Sequence, residues 1–361
     1  MRIAIMGPWN DCCGIAVHAR LVGQALLDMG HELVVFASRR ERPVGRIPVD
    51  VEDEPFVRRN WDMYRYGDRI EDDAPLDLFF DPAPMLEEDY EVLIVEKPCT
   101  TPLSKLVPIF GELKAKARVL AVMHEGRVPA NRNLYRLRWD VATVFDGRFM
   151  ELYGHLLNAG RVEVVPYPCH PVVEGDRKSA RDALGLPDDG AIVMAFGLRA
   201  RALWPIMPVL DGLAGRYDIR LLILVEHERF MPDALSLRAR YGFVMIRRGA
   251  PDFEGLYAYL HASDALLLHR PPADYVPVSS TVQLCLGALR PILCPDNNFF
   301  EIYGDAVLRY SGPDELEEKL KAVLEGDGLE ELIERAREFV LERDPISIAE
   351  RLLSLALDQG G

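Results

Sequence analysis

The chain has 361 residues, of which 49% are hydrophobic and 27% charged, and a formal net charge of −15. That length suits two domains better than one core, and the composition is that of an ordinary globular protein. The acidity excludes general nucleic-acid binding, which needs basic surface to release phosphate counterions, but it does not exclude a small anionic ligand held by a local group of arginines.

In chain order, the first expected strand is "RIAIM", followed by the loop "GPWNDCCGIA", a helix over 14–29 and the strand "ELVVFA". Residues 40–90 then carry aromatic and charged residues with little periodicity. A loop that long inside a compact domain is usually functional. Strands at "EVLIVE", "RVLAVM", "VATVF" and "VEVVPY" follow, with helices over 102–116 and 147–158. The stretch 166–190, rich in proline, glycine and charge, reads as a join. A second series begins at "AIVMAFG" and continues with "RLLILVE", "FVMIRRG", "DALLLHR", "RPILCP" and "AVLRY", with helices over 203–215, 252–262 and 279–289. Helices over 313–325, 328–342 and 346–358 close the chain, the last two separated by "DP".

Strands and helices that alternate in this way indicate α/β architecture. Strands that are apolar almost throughout are covered on both faces, hence parallel. The expectation is one doubly wound domain followed by another, over 1–167 and 168–343, with 344–361 a helix returning to the first.

The six cysteines (Cys12, Cys13, Cys99, Cys169, Cys285, Cys294) include no CxxC pair and no zinc-ligand spacing. No run of 18 or more apolar residues offers a membrane span, and the N-terminus lacks a secretory pattern. The expected compartment is the cytoplasm. No Asp-x-Asp, metal-binding His/Cys cluster or GxSxG elbow occurs, so no metal or other cofactor is expected.

"GPWNDCCGIA" joins the first strand to the first long helix, where ligands of open parallel sheets bind. Gly7 and Gly14 allow tight geometry, and the helix N-terminus favours negative charge; a plain structural turn explains the glycines equally well. The stretch "CGIAVHARLVGQALLDMGHELVVFA" resembles the N-terminus of the GT-B nucleotide-sugar glycosyltransferases, specifically the large retaining family 4. "VEVVPYP", "IVMAFGLRARALWPIMPVLDGL" and "LYAYLHASDALLLHRPP" with "LCLGALRPILCPD" resemble later family segments in the right order.

That resemblance implies two Rossmann-like domains facing a cleft, and transfer of a sugar from a nucleotide diphosphate sugar with retention of configuration. The acceptor would be a sugar, a small molecule or a lipid-linked carrier, the last entailing peripheral membrane contact. His124, in "VLAVMHEGR", matches a family histidine near the transferred sugar; an ordinary strand-end histidine is the competing reading, and Glu125 is a weaker candidate. The family's cations that neutralise the leaving diphosphate fall at Leu198 and Trp204, so Arg199 and Arg201 in the same loop would supply the phosphate contacts instead, or are solvated surface arginines.

The family's two donor-site glutamates fall at Val276 and Leu284, neither acidic, so Asp274 or Gln283 would have to compensate. Ser279, Ser280 and Thr281 begin the following helix as caps, as phosphate contacts, or as both. Together with Gly14 and the arginines they form the expected donor set, with His124 and Asp274 the expected catalytic pair. Trp61, Tyr64 and Tyr66 are expected to form an acceptor wall or lid. A non-catalytic nucleotide- or glycan-binding subunit of the same fold is the alternative.

Overall fold

A computed structural model of the chain describes residues 1–40, 48–64, 67–197 and 200–358. It divides into two compact units, Met1–Pro168 with Arg343–Gly361, and Cys169–Glu342.

The first unit is built on seven strands: β1 (Arg2–Gly7), β2 (Glu32–Ser38), β3 (Val57–Trp61), β4 (Val92–Glu96), β5 (Arg118–Val122), β6 (Trp139–Val144) and β7 (Ala159–Val164). All pair in parallel, in the order β3-β2-β1-β4-β5-β6-β7. Chain order reverses at β1, which lies between β2 and β4, so the crevice beyond the carboxyl ends of β1 and β4 is the natural ligand site of this sheet. The helices are α1 (Gly14–Asp28), α2 (Ala83–Glu87), α3 (Leu103–Lys116) and α4 (Gly147–Tyr153). Ile3 to Met6, Leu33 to Ala37 and Val92 to Val95 are buried on both faces. Each fully buried large aliphatic side chain contributes roughly 1.5–3 kcal/mol.

The second unit has six parallel strands: β8 (Ala191–Ala195), β9 (Ile219–Val225), β10 (Val244–Arg248), β11 (Ala265–Leu267), β12 (Ile292–Pro295) and β13 (Leu308–Tyr310). Their order is β10-β9-β8-β11-β12-β13, so the reversal falls between β8 and β11. The helices here are α5 (Arg177–Leu184), α6 (Met207–Tyr217), α7 (Met231–Arg240), α8 (Phe253–Ala262), α9 (Ser280–Cys285), α10 (Pro313–Glu325) and α11 (Leu329–Leu341). The final helix, α12 (Pro345–Leu357), belongs to the first unit. It is started by Asp344, whose carboxylate accepts from the Ser347 N–H, and it packs on α1, with Arg118 Nε donating to the Ala356 carbonyl at 3.0 Å.

Two segments differ from their sequence reading. The expected loop contains the edge strand β3, whose "VRRNW" hides the apolar alternation behind two arginines. Arg58 pairs with Glu88 and Arg59 with Asp53. The expected join contains α5, a helix half of whose residues are charged. Asp176 caps its start, Gly185 ends it at φ +58°, and Arg181 is buried. The Arg181 guanidinium is fully used, donating to the Ala262, Asp188 and Gly190 carbonyls and to Asp264 Oδ2 at 2.7–3.1 Å.

Candidate functional site

At the reversal point of the first sheet, β4 is apolar until its last residue, Glu96, which is wholly buried. Gly7 ends the neighbouring β1, and a Cβ there would come within 2.9 Å of the Glu96 Cβ. The glycine therefore makes room for the Glu96 stem. His18 lies on the buried face of α1, one turn beyond Gly14, and His124 lies two residues past the end of β5. The two imidazoles hold one carboxylate between them: His18 Nδ1 is 2.9 Å from Glu96 Oε1, and His124 Nε2 is 2.7 Å from Glu96 Oε2.

The rings of Phe145 and Tyr167 close over this trio, with centroids 4.8 Å from His124 and 5.0 Å from His18 respectively. Tyr167 donates to the Gly14 carbonyl at 2.5 Å. Burial in this aromatic box is the main influence on His124 and pushes its pKa down to about 4, against the pull of Glu96. Burial alone would raise Glu96, but the two histidines outweigh it and hold its pKa at about 2. An ionised carboxylate only accepts hydrogen bonds, so both facing ring nitrogens carry protons. His124 is then neutral, with Nε2–H on Glu96 and its lone pair on Nδ1.

Ligand atoms of His18, Glu96 and His124 lie within 4.8 Å of one another, a nitrogen–oxygen set of the kind that binds divalent transition metals. The distances favour a hydrogen-bonded clamp, because each carboxylate oxygen sits at hydrogen-bond length from its own imidazole. Sequence reasoning found His124 and missed its partners. The available signals were a lone carboxylate closing an apolar strand and a histidine on the buried face of α1.

Glu125, next in the chain, is buried. Its Oε1 accepts from the Cys99 N–H at 3.1 Å, and its Oε2 has no partner among the described residues. Burial raises its pKa. Cys12 and Cys13 are half-buried in the loop before α1.

The expected acceptor wall is corrected by the structure. Trp61 is fully buried at the end of β3, its indole N–H donating to the Phe36 carbonyl at 2.8 Å. Tyr64 is also buried, and its hydroxyl accepts from Asn131 Nδ2, which donates as well to Asp73. A wall residue needs an exposed ring face, so these two are core and network residues. Tyr66 and Arg199 lie outside the described residues.

At the reversal point of the second sheet, the loop after β8 meets the start of α9. Gly197, at φ +68°, lies so close to Thr281 that a Cβ would sit 2.8 Å from its hydroxyl. Ser279 is the N-cap, accepting from the Val282 N–H, and its own carbonyl accepts from Tyr303. Ser280 and Thr281 form the first turn of α9 and are half-buried, while Arg201 is exposed in the 3-10 turn Ala200–Ile206. Gly197, Thr281 and the α9 start are thus brought together, and Asp274 stands exposed in the loop preceding α9. Neither Leu284 nor Gln283 replaces a missing acid. Leu284 is packed in the core, and the buried Gln283 Oε1 accepts from the Cys169 thiol at 2.7 Å.

No protein-family profile matches the chain. Among solved structures, sucrose-phosphate synthase from Thermosynechococcus elongatus superposes with a TM-score of 0.68 at 15% identity, over 98% of each chain. Anabaena HepE, in a structure with UDP and glucose, gives 0.67 at 12% identity over 98% of each chain. Trehalose-6-phosphate synthase OtsA gives 0.63 at 13% identity over 99% of each. The two parallel-sheet units therefore share the fold of the GT-B glycosyltransferases. Among the described residues, no helix is long and apolar enough to cross a membrane.

Proposed function

We propose that the protein is a retaining glycosyltransferase that moves a sugar from a nucleotide diphosphate sugar to an acceptor. The observation that carries this reading is the Glu96 clamp on His124 at the reversal point of the first sheet, in a chain with a glycosyltransferase fold. Burial keeps His124 neutral and Glu96 fixes its tautomer, so that Nδ1 accepts a hydrogen bond from a sugar hydroxyl. The donor diphosphate is assigned to the Gly197 loop, the Ser280–Thr281 turn, Arg199 and Arg201, where N–H groups and fixed cations stabilise charge developing on the leaving group. Asp274 is assigned to the donor sugar and Gly14 to the donor's approach along α1. The departing phosphate accepts the acceptor's proton, so the reaction calls for no metal or other cofactor. The protein works in the cytoplasm.

A second reading, a non-catalytic nucleotide- or glycan-binding protein, is favoured by one observation: Val276 and Leu284 stand where acidic donor contacts would be, with Gln283 tied to Cys169. Thermal shifts with UDP, GDP and ADP sugars, followed by NMR of the donor and product, separate the two. The transferase reading expects a stabilising donor that is consumed to an α-linked product from an α-linked donor. Stabilisation without consumption, across a panel of sugar acceptors, supports the binding reading.

A further inference from the structure

Directly after Glu96 comes Lys97, with φ +46° and ψ +69°. Four non-glycine residues with positive φ occur among the described residues, and the two in the first unit, Asn10 and Lys97, follow β1 and β4. They flank the crevice at which chain order reverses. Asn10 tolerates this conformation better than most residues, and its side chain is fully used, donating to Asp53 and Glu54 and accepting from Arg20.

Lys97 has neither compensation. It precedes Pro98, which drives the residue before it toward extended conformations, yet it remains left-handed. Its backbone is held firmly: its N–H donates to the Val122 carbonyl, and its carbonyl accepts from both the N–H and the hydroxyl of Thr100. Its ammonium, by contrast, has no hydrogen bond or ion pair among the described residues. It is half-buried, and its charge reaches His124, Glu125 and Cys99. The nearby carboxylates do not neutralise it, since Glu96 is taken by two imidazoles and Glu125 is buried with its anion disfavoured. Backbone strain of this kind persists where the surroundings enforce it, and it collects at ligand sites.

We propose that Lys97 is a binding residue for a phosphate group on the acceptor, making a phosphorylated small molecule the acceptor class. A compact ammonium serves phosphate as a point charge. The assignment to the acceptor rests on the transferase reading, in which the donor diphosphate belongs to the Gly197 loop and α9 of the second unit.

Calorimetry on the full chain tests it, with inorganic phosphate and a nucleoside diphosphate as probes at constant ionic strength. Wild type binds phosphate, Lys97→Gln weakens that binding about fivefold or more, and Lys97→Arg retains it. The nucleoside diphosphate binds all three alike. Lys97→Gly, which relieves the left-handed strain, keeps or raises the Tm while losing phosphate, a pattern that a purely structural lysine would not give. Phosphate binding that is absent in wild type, or unchanged in Lys97→Gln and Lys97→Gly, overturns the proposal and leaves the transferase reading standing if the nucleotide still binds. Equal weakening of phosphate and nucleotide in Lys97→Gln assigns the lysine to the donor and also overturns it. Absence of nucleotide binding in wild type defeats the transferase reading, and the acceptor assignment with it.

Discussion

Replacing Glu96 by Gln imitates the protonated carboxyl in size and shape. The amide oxygen can accept from one imidazole, but the NH2 must face the other, which has to give up its proton at that nitrogen. The cost follows from the shift of Glu96 from an ordinary 4.5 to about 2. A lowering of that size corresponds to about 3 kcal/mol in favour of the ionised form. The sign is that of a depressed carboxylate: this stability is complete above pH 4.5 and is lost as pH falls toward 2. Glu96→Gln should thus be about 3 kcal/mol less stable than wild type at pH 7, a Tm loss of about 6–12 °C for a unit of this size. The gap should shrink to about half by pH 3 and close near pH 2. Urea unfolding of both proteins across this range measures it. Equal stability at pH 7, or a gap unchanged at low pH, would refute the clamp.

Trp61→Ala should destabilise the first unit by about 3–5 kcal/mol in urea unfolding, because its ring is enclosed and its indole holds the Phe36 carbonyl. Arg181→Met should cost the second unit about 3–5 kcal/mol, since Asp264 and several carbonyls lose their buried partner; calorimetric unfolding checks this. His124 is neutral down to about pH 4, so its contribution to stability is full above pH 6.5 and lost as pH falls toward 4, and the pH profile of turnover should show no limb near 6.5 from this residue. Treatment with EDTA should leave turnover unchanged, whereas a loss restored by zinc would assign a metal to His18, Glu96 and His124.

Much of the fold was legible because its strands are apolar almost end to end and its first helix has one buried face. Edge strand β3 and helix α5 were not legible, because their arginines find partners only through the tertiary structure: Arg59 on Asp53, and Arg181 among the carbonyls around Asp264. Trp61 was misread for a related reason. Its neighbours suggested a loop, and only pairing with β2 puts the ring inside. At the site, His124 was visible from its place after a strand. Glu96 and His18 are 78 residues apart in sequence, and only the parallel pairing of β1 with β4 brings them together. The strain at Lys97 is a backbone property that its sequence neighbours, a glutamate and a proline, do not announce.

Nucleotide binding by wild type and two variants separates a transferase from a protein that takes no donor. Calorimetry with UDP, GDP and ADP, and their sugars as turnover substrates, should show one nucleoside diphosphate bound by wild type. Arg201→Ala should bind that nucleotide more weakly, whereas His124→Ala should bind it nearly as well and lose turnover instead. Failure of wild type to bind any of the three nucleotides or their sugars would defeat the transferase reading.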